Sequence, residues 1–344
     1  MILRARTAPA RATLERAARR LAGQRVVVWG DFVVDEYWRC QSGRVSREAP
    51  VLVLEYQSRS AQGGGAANAA LNLAALGAEV RVVGWVGADD AGHELRRLLA
   101  NAGIDTDGLL EHDHAPTIVK TRVVAGDTHT ARQQVVRIDR GTRFPSTLAA
   151  RRALADAARV ASEGARAVVL SDYGYDSVTP EGARALIRAW RREGVVIGLD
   201  ARYRLASYRG VTLATPNEGE AAAAAAVEIH DEASLTRAAT RLRRRMQAEH
   251  LLVTRGRDGL TLWGDGAASS LEAWGGEEAV DVTGAGDAVV ATATLALASG
   301  AAPLVAAALA NVAGSIAVRQ RGAVAVTLAE LRRALVPGAA RRGR

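Results

Sequence analysis

The run Asp281-Val282-Thr283-Gly284-Ala285-Gly286-Asp287 leads straight into an uncharged helical stretch, Ala288–Ala298. Small residues ahead of a helix leave backbone N–H groups exposed, and the helix dipole adds partial positive charge there. Such a mouth can hold an anion, a phosphoryl group in transit included, on the N–H groups of Gly284, Ala285 and Gly286. Asp287 falls in the first helical turn, where a carboxylate can take the proton of an attacking alcohol. A glycine turn with an aspartate at the helix start would explain Gly-x-Gly-Asp alone; the full heptapeptide is more specific. A second cluster, Gly63-Gly64-Gly65-Ala66-Ala67-Asn68, opens an Ala/Leu helix. Glycines let a ligand approach the backbone closely, and Asn68 offers a donor and an acceptor. That inventory suits a polyol, and equally a glycine hinge before a core helix. Asp35 reads as the end of the first strand, Val26–Val34, where open α/β sheets bind ligands. Its carboxylate could chelate vicinal hydroxyls or simply cap a turn.

Lys120 stands out by rarity. The 45 basic residues are 44 arginines and this one lysine, which points to a place where a compact ammonium is needed. Period-two spacing puts it near Arg122 and Arg137, a set able to hold a phosphate already carried by a sugar; a chance surviving surface lysine is the plain alternative. Other nucleotide chemistries fail by absence. A Walker loop needs Gly-Lys-Ser/Thr, and the sole lysine follows Val119. No further glycines follow Gly30 as a dinucleotide fingerprint requires, and a protein-kinase His-Arg-Asp is missing.

These residues need a scaffold. Strand candidates are Val26–Val34, Glu79–Val83, Ala167–Ser171, Val195–Asp200, Val211–Ala214 and Leu251–Thr254. Helical stretches lie between them at Ala66–Leu76, Gly92–Asn101, Thr147–Ser162, Pro180–Arg192 and Asn217–Ala226, with Leu235–Ala248 before the last strand. Such alternation predicts a mainly parallel sheet covered on both faces. Segments 37–57 and 116–139 break the rhythm with extended pieces and no helix, predicting a small antiparallel lid. The expected layout is a leading helix over 1–20, one domain over 21–336 and a basic tail over 337–344.

Composition sets the outer limits. With 344 residues, 49% hydrophobic and 24% charged, the chain can bury a large core, and wholesale disorder is excluded. One cysteine, Cys40, rules out an internal disulfide framework and suits a reducing compartment. The six histidines form no His-Glu-x-x-His pair, which argues against a zinc hydrolase. A net charge of +8 invites a nucleic-acid reading, but the arginine clusters fall on helical patterns with apolar opposite faces, and two phenylalanines make a poor stacking platform. Residues 288–318 carry no charge, yet Gly300 and Pro303 break them, so two packed core helices are expected rather than a membrane span. The first ten residues lack the apolar stretch of a signal peptide, and a cytoplasmic protein is expected.

Gly63-Gly64-x-x-x-Asn68 and the heptapeptide ending in Asp287 resemble the two signatures of the ribokinase-like (PfkB) carbohydrate kinases. More narrowly, the chain resembles the heptose 7-phosphate kinase branch. The matching stretches run from Gly30-Asp31 to Asp35-x-Tyr37-Trp38, and include Ser46-x-Glu48-Ala49-Pro50-Val51, Pro116-Thr117-Ile118-x-Lys120-x-Arg122 and Gln133-Gln134-x-x-Arg137-x-Asp139. Leu170-Ser171-Asp172-Tyr173, Tyr208-Arg209-Gly210 and Thr215-Pro216-Asn217-x-x-Glu220 follow.

The resemblance covers about residues 20–335 and implies a three-layer α/β sandwich with a β lid. It implies Asp287 as catalytic base, with Gly284, Ala285 and Gly286 as anion hole. Asp35, Gly63, Gly64, Asn68 and Asp172 would stand on the substrate side. Asn217 and Glu220 would organise Mg²⁺ through water, and Thr254, Gly256 and Gly259 would pass the ATP. Asn217 and Glu220 are also spaced as an ordinary helix cap.

The sequence departs from the branch at three places. Tyr175 and Asp176 stand where a Lys-Gly pair is usual, Asp200-Ala201-Arg202 replaces Asp-Pro-Lys, and Gly322-Ala323 replaces a Gly-Thr near a monovalent-cation site that is left open here. The His-x-Gly-His of a fused nucleotidyltransferase is absent, so adenylyl transfer is expected from another polypeptide. The implied reaction is ATP-dependent phosphorylation of the anomeric hydroxyl of a heptose 7-phosphate by a homodimer. The alternatives are a PfkB-type kinase for another sugar, sugar phosphate or nucleoside, and a catalytically silent nucleotide- or sugar-phosphate-binding regulator.

Overall fold

Val26, Val27, Val28 and Trp29 are all buried, and a strand so apolar on both faces must lie inside a sheet covered on two sides. The computed structural model describes residues 8–126, 133–275 and 279–336. A first helix, α1 (Arg11–Ala18), precedes that strand, β1 (Arg25–Gly30). The long strands β2 (Phe32–Val45) and β3 (Leu52–Gly65) follow, then α2 (Ala66–Ala75), β4 (Glu79–Gly87), α3 (Asp90–Asn101) and β5 (Asp105–His112). Next come β6 (Ile118–Gly126), β7 (Gln133–Arg140), α4 (Leu148–Ala161), β8 (Ala167–Asp172), α5 (Pro180–Arg192), β9 (Val196–Ala201) and β10 (Leu213–Ala214). The last part holds α6 (Glu218–Ala225), α7 (Glu232–Met246), β11 (His250–Thr254), β12 (Leu260–Trp263), β13 (Ser269–Leu271), α8 (Ala285–Ala298), α9 (Pro303–Ala317) and α10 (Leu328–Leu335).

The main sheet has the order β13-β12-β11-β10-β9-β8-β1-β4-β5. Neighbours are parallel from β11 to β5, and β12 and β13 join antiparallel at one edge. Alternate residues of β1 serve two cores. Val26 and Val28 pack with α1, α2, α3, α8, α9 and α10, whereas Val27 and Trp29 pack with α4, α5, α6 and α7. This is the three-layer sandwich, with α2, α8 and α9, none of which carries a basic residue, all on one face. The uncharged segment 288–318 forms most of the buried pair α8 and α9, and among the described residues no helix is long and apolar enough to cross a membrane.

Small residues set how closely α8 lies on the sheet. A Cβ at Gly198 in β9 would collide with Thr294 of α8, so the strand offers bare backbone where the helix crosses it. The N-terminus of α8 is thereby held close to the sheet.

Three expectations need correction. The first strand stops at Gly30 instead of running to Val34, because Asp31 is drawn inward to bind backbone amides of another loop. Asp35 therefore sits in β2, within the lid, and not at the end of a main-sheet strand. The lid is a four-stranded sheet of order β3-β2-β6-β7 whose central pair, β2 and β6, is parallel; only the outer pairs are antiparallel. The structure also adds β5, β12 and β13, which the periodicity did not announce. The predicted basic tail, 337–344, lies outside the described residues, as does part of the lid segment 116–139.

Candidate active site

Asp287 is 4% exposed, and both its oxygens are held. Asn68 Nδ2 donates to one at 2.8 Å, and the Tyr173 hydroxyl donates to the other at 3.0 Å. Burial pushes its carboxyl up to about 7, against the two hydrogen bonds and the charge of Lys120, which lower it. A carboxylate that changes charge near neutrality suits a general base.

Each partner is itself positioned. Asn68 and Asn72 lie one turn apart on α2, both fully buried. Asn72 Nδ2 donates to the Asn68 backbone and side-chain oxygens at 2.9 and 3.2 Å, and its own Oδ1 accepts from the Val326 amide at 3.0 Å. Tyr173 rides on a loop that Asp31 gathers, accepting from the amides of Tyr173, Tyr175 and Ser177 at 2.8–2.9 Å. Burial, with Asp172 nearby, pushes the Asp31 carboxyl up to about 7.

Below Asp287 lies the helix mouth. Gly284 caps α8 with φ 79°, a conformation that favours glycine, and a Cβ there would strike the Asn68 amide. No side chain caps this helix. The Ala285 N–H turns back to Val282 O at 3.3 Å, while those of Gly286 and Asp287 meet no protein acceptor among the described residues. Of the three predicted donors, Gly284 and Gly286 meet no protein acceptor among the described residues, as is also true of Asp287, while Ala285 is engaged in its turn bond. A Cβ on Gly286 would meet nothing within 4 Å, so the space over these amides is open. This bare, uncapped mouth has the chemistry to receive a phosphate.

The lid supplies the opposite wall. Asp35 and Tyr37 of β2 share a face with Lys120 and Arg122 of β6, the pairs Asp35/Lys120 and Tyr37/Arg122 being in register. Arg122 forms an ion pair with Asp35, and a Cβ on Gly64 would fall on the Asp35 carboxylate, so glycine there is what lets the acid lie flat against β3. Gly63 packs against α2 through Ala67 and Leu71, making it a structural neighbour of the site and not part of its lining. Lys120 Nζ stands 5.4 and 5.6 Å from the ring centres of Tyr173 and Tyr175, and burial lowers its affinity for the proton. Arg137 pairs with its strand neighbour Asp139 at 2.8 Å.

One predicted substrate residue points elsewhere. Asp172 is 1% exposed and accepts from Arg204 at 2.6 and 2.9 Å, the Tyr208 hydroxyl at 2.8 Å and the Gly174 amide at 2.9 Å. Those bonds make it the clamp for the 173–179 loop instead of a sugar ligand. Arg204 extends the clamp to Asp176 at 2.5 Å, which explains why an acid is at home there.

At the other end of the cleft, Asn217 and Glu220 form a reciprocal cap on α6, the Glu220 amide donating to Asn217 Oδ1 at 2.8 Å and Glu220 Oε2 accepting from the Asn217 amide at 3.0 Å. The cap leaves Glu220 Oε1 uncommitted. Asn217 bridges to Thr254 in parallel fashion, and Gly256 follows with open space where a Cβ would stand. Gly259, expected beside the nucleotide, is a turn residue instead: its φ is 81°, and its Cβ position is filled by the Leu271–Ala273 backbone. Asp200 links the two ends, its carboxyl raised well above the usual range by burial, Asp287 and Glu220. Among the described residues no three acidic, His or Cys groups form a metal cage. Glu220 alone fits a Mg²⁺ ion carried in on phosphates and reached through water.

Tyr173, Asp31, Asn72, Asp200 and Arg204 were not assigned roles from the sequence. Asp31 and Tyr173 lie in stretches that carry the family resemblance, and Asn72 is visible as a second asparagine four residues after Asn68 in an otherwise apolar helix.

Residues 24–329 match the model of the pfkB family of carbohydrate kinases. A relative from Alkalilimnicola ehrlichii, "Bifunctional protein HldE", is 42% identical over 312 residues, covering 90% of this chain and 63% of that protein. The protein of the same name from Pelobacter propionicus is 37% identical over 322 residues, covering 93% and 65%. The chain thus spans under two thirds of the length of these relatives. Among solved structures, Arabidopsis thaliana ribokinase complexed with ribose and ATP superposes with a TM-score of 0.71 at 20% identity, covering 91% of this chain and 99% of that one. Escherichia coli phosphofructokinase-2 in complex with potassium gives 0.73 at 19% identity, covering 91% and 98%. These two share the fold.

Replacing Asp287 by Asn should cut kcat by about 10²–10⁴-fold. In the unsubstituted enzyme kcat/KM should fall as pH drops below about 7, where Asp287 takes up its proton. Tyr173→Phe removes a bond that favours the charged carboxylate, so this acid limb should move to higher pH. A pH–rate profile of both proteins checks the sign; a limb that stays put would show that another group titrates.

Proposed function

The chain belongs to the pfkB family of carbohydrate kinases, phosphotransferases that act on a sugar hydroxyl with ATP as donor, and from that premise we propose that it phosphorylates the anomeric hydroxyl of a heptose 7-phosphate to the 1,7-bisphosphate. The observation that carries this reading is the buried Asp287, fixed by Asn68 and Tyr173 directly above unshared helix amides.

In this reaction Asp35, released in part from Arg122, grips the sugar hydroxyls while Gly64 leaves room for it. Asp287 accepts the proton of the attacking hydroxyl. The Gly286 and Asp287 amides spread the charge of the migrating phosphoryl group, a fixed donor set that needs no reorganisation. Glu220 would hold a Mg²⁺ ion through water, and the ion would supply neutralising charge for the donor phosphates. Closure of the lid, strands β2, β3, β6 and β7, excludes water.

Lys120 is assigned to the phosphate the acceptor already carries. Its ammonium is desolvated, and its charged neighbours are Asp35, Arg202, Asp139 and Arg137, two acids matched by two guanidiniums, so a phosphate would meet the ammonium as an unbalanced charge. Arg202 supports the subsite from the place where the heptose branch has lysine, and Tyr175 lends a ring face in place of a second one.

The outer face of the lid supports a homodimer. Trp38, Cys40, Val123 and Leu54 form an apolar patch there, continued by the exposed Tyr56, Val136 and Ile138. It lines a cavity of about 540 Å³, and a second copy of the same face would cover it. Val136→Asp should halve the mass seen in sedimentation if the dimer closes through this face; an unchanged mass would place the interface elsewhere.

A coupled ADP assay on heptose 7-phosphate, fructose 6-phosphate, ribose and adenosine tests the substrate. The heptose phosphate should lead by at least about tenfold in kcat/KM. Better turnover of ribose or adenosine would favour a kinase for an unphosphorylated acceptor. Lys120→Ala should raise KM for the sugar phosphate by about 10–100-fold, with less than about a twofold change for ATP; equal effects would defeat the assignment.

A further inference from the structure

A minority of the arginines on this surface stand in ion pairs. Arg25 meets Glu79, Arg59 meets Glu36 and Glu94, Arg96 meets Glu111, Arg243 meets Asp265, and Arg255 meets Glu218 and Glu232. One groove gathers five arginines that have no such partner among the described residues. Arg184, Arg188 and Arg191 project from α5 at i, i+4 and i+7, hence along one stripe of the helix. Arg209, from the Tyr208-Arg209-Gly210 motif, and Arg245, from the last turn of α7, line the same cavity of about 640 Å³. No carboxylate lies within ion-pair distance of any of the five among the described residues, and the only acid on the cavity wall is Glu181.

The groove is built, not incidental. Tyr208 is buried and donates to Asp172, fixing the segment that presents Arg209. Gly210 has φ 84° and hands its amide to Met246 O at 2.8 Å, tying that segment to the end of α7. The Arg191 side chain passes within van der Waals distance of where a Gly210 Cβ would stand, so α5 closes the third wall. Five guanidinium groups, charged at any physiological pH, line one groove whose wall carries Glu181 as its one acid among the described residues.

We propose that this groove binds a condensed phosphate chain, either inorganic oligophosphate or the phosphate tail of a nucleotide, at a site separate from the catalytic cleft. Its volume falls in the small-ligand range. Guanidinium forks match phosphate oxygens bidentately. No aromatic side chain lines the cavity, so nothing there stacks on a base, which favours the phosphate chain over a nucleobase or a single-stranded nucleic acid.

The catalytic cleft also attracts phosphates and must be silenced in the test. Gly286→Asp puts a like charge into the open space over the helix mouth, leaving the groove as the remaining site. Titration calorimetry of inorganic tripolyphosphate into this variant of the full chain should show one site, weakened at least tenfold by adding R188E/R191E and by an intermediate factor with R188Q/R191Q. ATP should bind the G286D protein with similar affinity if its phosphate tail is what is read, and orthophosphate much more weakly. In the unsubstituted background, R188E/R191E should leave kcat within twofold. No tripolyphosphate binding to the G286D variant, equal affinity after R188E/R191E, or retention of an oligonucleotide that tripolyphosphate does not displace would each overturn the proposal.

Discussion

A carboxylate buried between an amide and a phenol, directly over the bare end of a helix, is an expensive arrangement. Asp287 loses its water, and what it receives in return from Asn68 and Tyr173 does not hold its carboxyl at the ordinary value. The rest of the fold can be understood as holding this group still. Asn72 fixes Asn68 from inside α2, and Asp31 fixes Tyr173 from inside the break after β1. Gly198 lets α8 come close enough for its mouth to lie beneath them. None of these three residues needs to touch a substrate.

The cost appears in stability. Asp31 and Asp287 each hold their protons up to about pH 7, whereas an unfolded aspartate releases its own near 3.8. Between those values the folded chain binds more protons than the unfolded one, so both residues favour folding at low pH and cease to do so as pH rises through about 7. At the pH where Asp287 becomes a competent base, it also becomes a burden on the fold. The Asp31 loop and the Asp172–Arg204 clamp then have to be rigid for other reasons, and their many backbone and guanidinium bonds meet that need.

How much of this was legible depended on whether the signal was local. The helix mouth could be read from seven consecutive residues, since a glycine at a left-handed cap and an acid in the first turn are both local requirements. The parallel core strands announced themselves by unbroken valine runs. By contrast, β5 carries Asp105, Asp107 and Gly108, a composition that argues against a strand, and it forms because β4 offers it an edge. Asp35 was placed in the wrong sheet because Val26–Val34 reads as one apolar run; only Asp31's bonds to amides more than 140 residues away reveal the break. Asp172 was misassigned for a similar reason, its partners Arg204 and Tyr208 lying 32 and 36 residues downstream. The turn bond from Ala285 to Val282 is likewise invisible in a string of small residues.

The account stands or falls on the charge state of one side chain. Difference infrared or carboxyl-selective NMR titration of the full chain against Asp287→Asn reads that group directly, without substrate. A carboxyl that titrates near 7 and vanishes in the variant is the predicted result. A signal for Asp287 near 4 would show an ordinary, well-solvated acid and contradict the mechanism built on its burial.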